Sequence, residues 1–509
     1  MNGELPQGWA TATLGEIAEI SPRHPKGLDD STPVTFVRMA ALSESKPEFQ
    51  FTEERPFGEV RKGFTHFAEG DVLFAKITPC MENGKGAVAK GLRNGLGCGT
   101  TELHVIRPLA GIDPHYVYRF LAQSSVRREA KENFTGTAGQ ARVPNTFIEE
   151  LGIPLAPAAE QRRIVAKLEL LLARVDACHR RLATIPVLVN RFRQSVLTAA
   201  TTGRLTVDWR AKTRLKLDAK ADLESYLATR PQRPHKEAEP TEGHETLTDE
   251  LPAEWATPTM DDLFRFIDYR GKTPKKSDAG KRLISAKNIK MGYISEEPVE
   301  YVSDDFYRTW MTRGFPKRGD IFFVTEGHTM GFAALNNRTD EFALSQRTIT
   351  LQPWHPIETR TFFYFIVSPL FQNLVRLNAT GSAAVGIKAA KFRGLPIPFP
   401  PLAEQQEIVR RVGTLFAVAD RIEARYEEGR KRVGSLAQSV LAKAFRGELV
   451  ATEAELAKAE GRSFESAGEL LERLKRSVQQ SGRAAKTTKL NSIRLSAKSR
   501  SRARGAGLG

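Results

Sequence analysis

Cysteine is scarce in this chain, with three in 509 residues, Cys80, Cys98 and Cys178, and no C-x-x-C pair among them. That spacing supports neither a disulfide framework nor a zinc knuckle and fits a reducing compartment. Long apolar runs are missing too. No stretch approaches the ~18 uninterrupted apolar residues of a membrane-spanning helix, and no charged-then-apolar leader opens the sequence. The expectation is a soluble cytoplasmic protein with no membrane partner. Catalytic signatures are equally thin. There is no G-x-x-x-x-G-K-[ST] loop for a nucleotide, no H-x-x-x-H pair for a metal, and no Ser-His-Asp or carboxylate-dyad spacing. ENGKGAV (82–88) lacks the rest of a phosphate loop, and the glycine-rich NGLGCGTTE (94–102) precedes a strand instead of joining a strand to a helix, so a turn is expected there. His66, His104 and His328 read as surface or core residues. A single-chain nuclease or methyltransferase would need a signature that these residues do not provide.

Positive charge, by contrast, is abundant, at a formal +16. Eight of these charges, Arg483, Lys486, Lys489, Arg494, Lys498, Arg500, Arg502 and Arg504, stand in residues 481–509 with no acid, a stretch with the composition of a disordered tail. The remaining body is still basic, which favours a polyanionic partner such as nucleic acid.

The dominant feature is a repeat. Residues 153–206 align without a gap on 397–450, with 20 of 54 pairs identical, so that PAAEQRRIV (157–165) answers to PLAEQQEIV (401–409). LPQGWATATL (5–14) recurs as LPAEWATPTM (251–260), placing Trp9 against Trp255. Between tag and repeat the likeness is fainter but ordered: EGDVLF (69–74) with RGDIFF (318–323), TELHVIRP (101–108) with RTITLQP (347–353), NFTGTAG (133–139) with NATGSAA (378–384). The chain is one unit written twice.

Inside the repeats, apolar residues step by four and three. Ile164, Leu168, Leu171, Val175, Cys178, Leu182, Ile185, Val189, Phe192 and Val196 form one heptad seam; Ile408, Val412, Leu415, Ala419, Ile422, Tyr426, Gly429, Val433, Leu436 and Val440 form the other. Each predicts a long helix of coiled-coil type, roughly 48 Å along the seam, whose narrow stripe needs a partner helix. The duplicate is the obvious partner. Pro186 should kink or interrupt the first helix, and Gly203 and Gly447 should close the two.

The divergent parts read as compact α+β heads, with strands at DVLFAKI (71–77), ELHVIRP (102–108), DIFFVT (320–325) and TITLQP (348–353) and helical stretches at 114–129 and 359–377. The chain therefore divides into a first head (1–152), a helical region (153–206), a polar linker (207–250), a second head (251–396), a second helical region (397–450), a short helical extension (451–480) and the basic tail (481–509). Two related heads on matched rods suit one object touched twice at fixed separation. Duplex DNA presents same-face major grooves about every 34 Å.

The LPQGW and LPAEW tags, GDVLFAKITPCMENGKGA (70–87), the paired IPLAPAAEQRRIV and IPFPPLAEQQEIV, and the helix ends QSVLTAATTGRLT and QSVLAKAFRGELV carry a resemblance. Over almost its full length the chain resembles the specificity subunits of type I restriction-modification systems. The resemblance implies two target-recognition domains separated by two long antiparallel coiled-coil helices and a bipartite double-stranded DNA site with an unspecified spacer. It implies assembly with two modification (methyltransferase) subunits and with restriction (ATP-dependent translocase-nuclease) subunits. S-adenosylmethionine, ATP and Mg would belong to those partners, and this chain would hold no cofactor and perform no catalysis. A stand-alone two-domain DNA-binding regulator would use the same heads without partner enzymes.

Base and phosphate contacts come from Arg, Lys, Asn, Gln, Ser, Thr or His on loops. The candidates are Lys76, Thr78, Asn83, Lys85, Gln140 and Arg142 in the first head, and Lys287, Asn288, His328, Thr329, Arg347 and Lys388 in the second.

Overall fold

The computed structural model describes residues 4–480 apart from 45, 138–139, 231–237, 244, 246, 248, 250, 270–272, 346 and 382–384; the expected basic tail lies outside the described residues. The chain forms two compact units, one taking residues up to Leu182 and from Gly429 onward, the other taking Ala183–Glu428.

In the first unit a four-stranded antiparallel sheet runs in the order Ala18–Ile20, Leu103–Pro108, Val72–Ala75, Gly86–Val88. Val72–Ala75 is buried on both faces, as its unbroken apolar run requires. A second sheet, Glu53–Pro56, Pro33–Val37, Leu96–Gly99, Thr65–Ala68, contains one parallel pairing, between Pro33–Val37 and Leu96–Gly99. The expected turn at 94–102 is therefore wrong for its centre, which is a strand, and the glycines have a packing reason. A Cβ on Gly97 would run into the Phe67 ring, and one on Gly99 would sit 2.8 Å from the Val37 carbonyl oxygen.

The second unit repeats the plan. Phe264–Asp268, Thr348–Pro353, Ile321–Val324 and Ala333–Leu335 make its main sheet; Tyr301–Val302, Lys281–Ile284 and Phe342–Leu344 make the smaller one, again with one parallel pairing. All four anticipated strands form. The helical stretches each divide in two, Pro114–Leu121 with Ser124–Glu132 and Thr359–Ile366 with Pro369–Leu377. Pro369 sits at the first turn of its helix, where a missing donor costs nothing, and Ser368 caps it by accepting from Phe371 N.

The repeated tag and the repeated Glu-Gln meet in each unit. Trp9 Nε1 donates to buried Glu160 at 2.9 Å, and Trp255 Nε1 donates to buried Glu404 at 2.9 Å. Glu160 also accepts from Glu453 N at 2.8 Å; Glu404 accepts from the Thr206 hydroxyl at 2.6 Å and pairs with Arg210. Burial raises the Glu160 carboxyl above its ordinary value, against the pull of these donors. The clasp fastens the opening tag of each head to the start of its long helix.

The first helical region is two helices, Ala158–Ala183 and Ile185–Thr201, with the break at Thr184 beside Pro186, whereas the second is continuous from Leu402 to Ala444. Gly203 and Gly447 follow in the left-handed conformation, φ 69° and 75°. Within the second unit Arg193 bonds Asp420 and Glu423, and Arg411 bonds Asp208. Ile164, Leu168, Val189, Val196, Ile408, Val412 and Ala419 are buried. Leu171, Val175, Leu182, Leu415, Tyr426, Val433 and Val440 are half-buried. Phe192, Ile422 and Leu436 depart from the expected seam, being 37%, 42% and 47% exposed. Towards the ends, the buried members Ile164 and Leu168 join the core of the first unit and Val196, Ile408 and Val412 that of the second.

The polar linker also needs correction. Ala219, Tyr226 and Leu247 lie in the core of the second unit, with the Tyr226 hydroxyl donating to Leu263 O at 2.7 Å and accepting from Trp354 N at 2.9 Å. Helix Ala219–Ala228 carries enough apolar surface to dock, with Asp218 capping it through Ala221 N. The segment after the other helical region does the same for the first unit: Ala467, Leu470, Leu471 and Leu474 join its core. Among the described residues no helix is long and apolar enough to cross a membrane.

Candidate nucleic-acid interface

In the first head, strand Val72–Ala75 runs into a loop at 76–85 that returns as Gly86–Val88. The loop is wound tightly by Met81 N to Ile77 O, Asn83 N to Pro79 O and Lys85 N to Cys80 O, each at 3.0 Å. Gly84 closes it at φ +81°, where a Cβ would strike the Arg127 guanidinium. A second loop, 135–142, is pinched at its base by reciprocal bonds between Thr135 and Arg142 at 3.0 and 2.9 Å. Thr78 N donates to Ala141 O at 3.2 Å and Val143 N to Lys76 O at 2.9 Å, so the two loops lie edge to edge.

Arg142 forks onto Glu102 at 2.8 and 2.9 Å and gives its remaining arm to Gln140 O at 2.9 Å. This pairing holds the Glu102 carboxyl below the usual carboxylate range. Lys76, Thr78, Gln140 and Arg142 are thus brought together. Arg142 braces the pair of loops, and Thr78 turns its hydroxyl to Glu82. Asn83 bonds Glu44 at 3.3 Å on the outer flank of the first loop, and Lys85 stands at its return.

The second head builds the same device. Strand Ile321–Val324 leads into a loop at 325–332, and a loop at 380–386 is pinched by Thr380 and Gly386 at 2.8 and 3.0 Å. Gly327 N to Val385 O at 2.9 Å and Ile387 N to Thr325 O at 2.8 Å join them. Arg347, at φ 71°, occupies the place that Glu102 holds in the first head and pairs with Glu326 at 3.1 Å, so the charge at that corner is reversed. His328 and Thr329 lie at the tip of the first loop and Lys388 just beyond the second, where it precedes helix Ala389–Gly394 and lies 3.9 Å from Glu239.

Lys287 and Asn288 fall elsewhere, after strand Lys281–Ile284 of the smaller sheet. Lys287 is exposed. Asn288 is fully buried, its oxygen accepting from Ser285 N at 3.1 Å and its amide donating to Ser295 O and Pro298 O at 3.1 and 3.0 Å. It holds that loop's shape and has no face to offer a base.

Cations missed in the sequence surround a pocket of about 410 Å³ in the first head, lined by Arg23, Arg61, Lys62 and His66 together with Lys76. The adjacent Arg61-Lys62 pair was the available signal. Next to it the His24 and His66 rings stack at 4.7 Å between centroids, and burial lowers both imidazoles below their ordinary value. His104, deeper still and bonded to Val143 O at 2.9 Å, is pushed down to about 4. Among the described residues no cluster of three His, Cys, Asp or Glu side chains could hold a metal.

The family described as the type I restriction modification DNA specificity domain matches residues 6–186 and again 252–428. The type I restriction enzyme EcoKI specificity subunit of Escherichia coli (strain K12) is 28% identical over 482 residues, covering 88% of this chain and 91% of that protein. The EcoAI specificity subunit of Escherichia coli is 31% identical over 351 residues, 59% of each chain. The EcoEI specificity subunit of Escherichia coli is 42% identical over 174 residues, 34% of this chain and 29% of that protein. The chain thus spans less than two thirds of the EcoEI and EcoAI subunits that it matches. Among solved structures, a chain from a type I R-M system has a TM-score of 0.63 at 18% identity, covering 88% of this chain and 100% of its own. The HsdS subunit from Thermoanaerobacter tengcongensis scores 0.56 at 19% identity, covering 88% and 99%. These two likenesses establish the fold. The two matched stretches take in both heads, so the chain belongs to the type I restriction modification DNA specificity domain family.

Proposed function

We propose that the chain is a non-catalytic specificity subunit that reads a bipartite duplex DNA target, one half-site with each head, and scaffolds the subunits that act on that DNA. The observation that carries the reading is the loop pair built twice on one plan with different side chains. Lys76, Thr78 and Gln140 stand on it in the first head, and His328, Thr329, Arg347 and Lys388 on or beside it in the second. A shared frame with altered donors and acceptors gives two readings of base edges. Exposed Lys287 suits a phosphate contact.

The long helices form an antiparallel pair in this proposal. In the second unit Arg193, on helix Ile185–Thr201, bonds Glu423, and Asp208, beyond the end of that helix, bonds Arg411, so the partner number falls as the chain advances, which supports that direction. Two modification subunits and the restriction subunits are the proposed protein partners, working in the cytoplasm. S-adenosylmethionine, ATP and Mg would sit on them.

Long-read methylation mapping of cells expressing the chain with its modification subunits tests the reading. It should reveal one motif of two specified parts separated by unspecified bases; a continuous motif, or none, overturns it.

A further inference from the structure

We infer that the basic pocket of the first head is a phosphate-binding site that grips the backbone of duplex DNA beside the loop pair. This rests on the DNA-reading proposal and adds Arg23, Arg61 and Lys62, which it left out, to Lys76. Arg23, Arg61, Lys62 and Lys76 line the pocket, and no Asp or Glu does. Arg61 is tied to Asp30 at 2.8 Å. Arg23, Lys62 and Lys76 have no side-chain hydrogen bond or ion pair among the described residues, although other arginines of this head are taken up: Arg38 and Arg55 by Glu53, Arg107 by Asp71, Arg142 by Glu102. Three cations without an ion-pair partner line one concavity, and their summed field favours an anion there. The low-dielectric walls of a cleft concentrate that field.

Position names the anion. Lys76 belongs to both features: its carbonyl accepts from Val143 N at 2.9 Å and its N–H donates to Glu102 O at 3.1 Å, within the frame of the loop pair, while its side chain lines the pocket. Asn145, also on the pocket wall, bonds Ser21 Oγ at 3.3 Å and so links the opposite rim to the end of the second loop. A duplex laid on the loops would bring a phosphodiester to this rim. Phosphate contacts of this kind set register and leave base choice to neighbouring side chains. A basic cleft of the second head, lined by Arg265, Lys317 and Arg318, lies at the entry of its main strand, not at the exit where Lys76 stands in the first head, and it contains Asp320, so it lacks the uniform sign. A free phosphate shares the chemistry, and the experiment separates the two.

The test measures the salt dependence of binding of the full chain, with its modification subunits, to a duplex carrying its methylated motif. Arg23 and Lys62 are exposed, so R23A/K62A should keep the parent's melting temperature. Its slope of log affinity against log salt should be shallower by about one, with the preference for the motif over a scrambled duplex unchanged. R23K/K62R should retain the parental slope. A parental slope in R23A/K62A overturns the site while leaving the reading intact. Calorimetric binding of inorganic phosphate to the parent, lost in R23A/K62A without any change of slope, assigns the pocket to a small anion and overturns the DNA-backbone assignment. A parent that prefers no motif yet loses slope in R23A/K62A keeps the phosphate site and overturns the reading; a parent that binds no duplex overturns both.

Discussion

Asp71 and Asp320 hold the same place in the two heads, each buried at the entry to the central strand of its main sheet, but their partners differ. Arg107 meets Asp71 with two bonds of 2.8 and 2.7 Å, whereas Gln352, at the matching position of its strand, gives Asp320 a single bond of 3.0 Å. Without a facing guanidinium, burial pushes the Asp320 carboxyl up to about 6 from 3.8. A carboxyl raised on folding favours the native state while protonated, and that contribution disappears as pH rises through the folded value. The parent should therefore lose stability relative to Asp320→Asn between pH 4.5 and 7.5, by on the order of 2 kcal/mol. Thermal melts of both proteins across that range check this; a constant difference contradicts it. The sequence could not reveal the contrast, because both aspartates open an expected strand and the difference lies in the residue across the sheet, Arg107 or Gln352. Asn288 was misread for the same reason. An Asn in a loop suggests a donor for bases, and only the fold shows its amide closed on Ser295 and Pro298.

At the scale of elements, the tags and the Glu-Gln pair were legible as repeats but not as a joint. Trp9 and Trp255 stand about 150 residues from the glutamates that they meet, |i−j| being 151 and 149, and no local pattern signals a contact at that distance. In the second unit the clasp includes Arg210 beside fully buried Glu404. Arg210→Met would leave that carboxylate with only the Thr206 hydroxyl and the Trp255 indole and should destabilise the unit by about 3 kcal/mol. Urea unfolding followed by tryptophan fluorescence measures the loss; a change below about 1 kcal/mol would contradict a clasp that depends on Arg210. The four strands and the break near Pro186 were legible because each follows from periodicity or from the missing proline donor. The segment at 207–250 reads as linker because its average composition is polar, which conceals the few residues that dock, Ala219, Tyr226 and Leu247. The glycine-rich strand at Leu96–Gly99 escaped because glycine there serves the Phe67 ring and not a turn.

For the whole molecule, the decisive sequence signal was the duplication, and the structure gives it meaning as two heads that share a frame and differ at the corner residues Glu102 and Arg347. Which side chains would read bases is not legible in the sequence, because reading a base needs exposure and direction, which depend on how two loops distant in sequence are laced together. The central claim is that each head reads its own half of the target. It is tested most directly by replacing residues 5–152 with the corresponding domain of a relative of different specificity and mapping methylation in cells carrying the chimaera. One half of the motif should change to the relative's, with the other half unaltered; an unchanged motif, or one altered in both halves, would contradict the account.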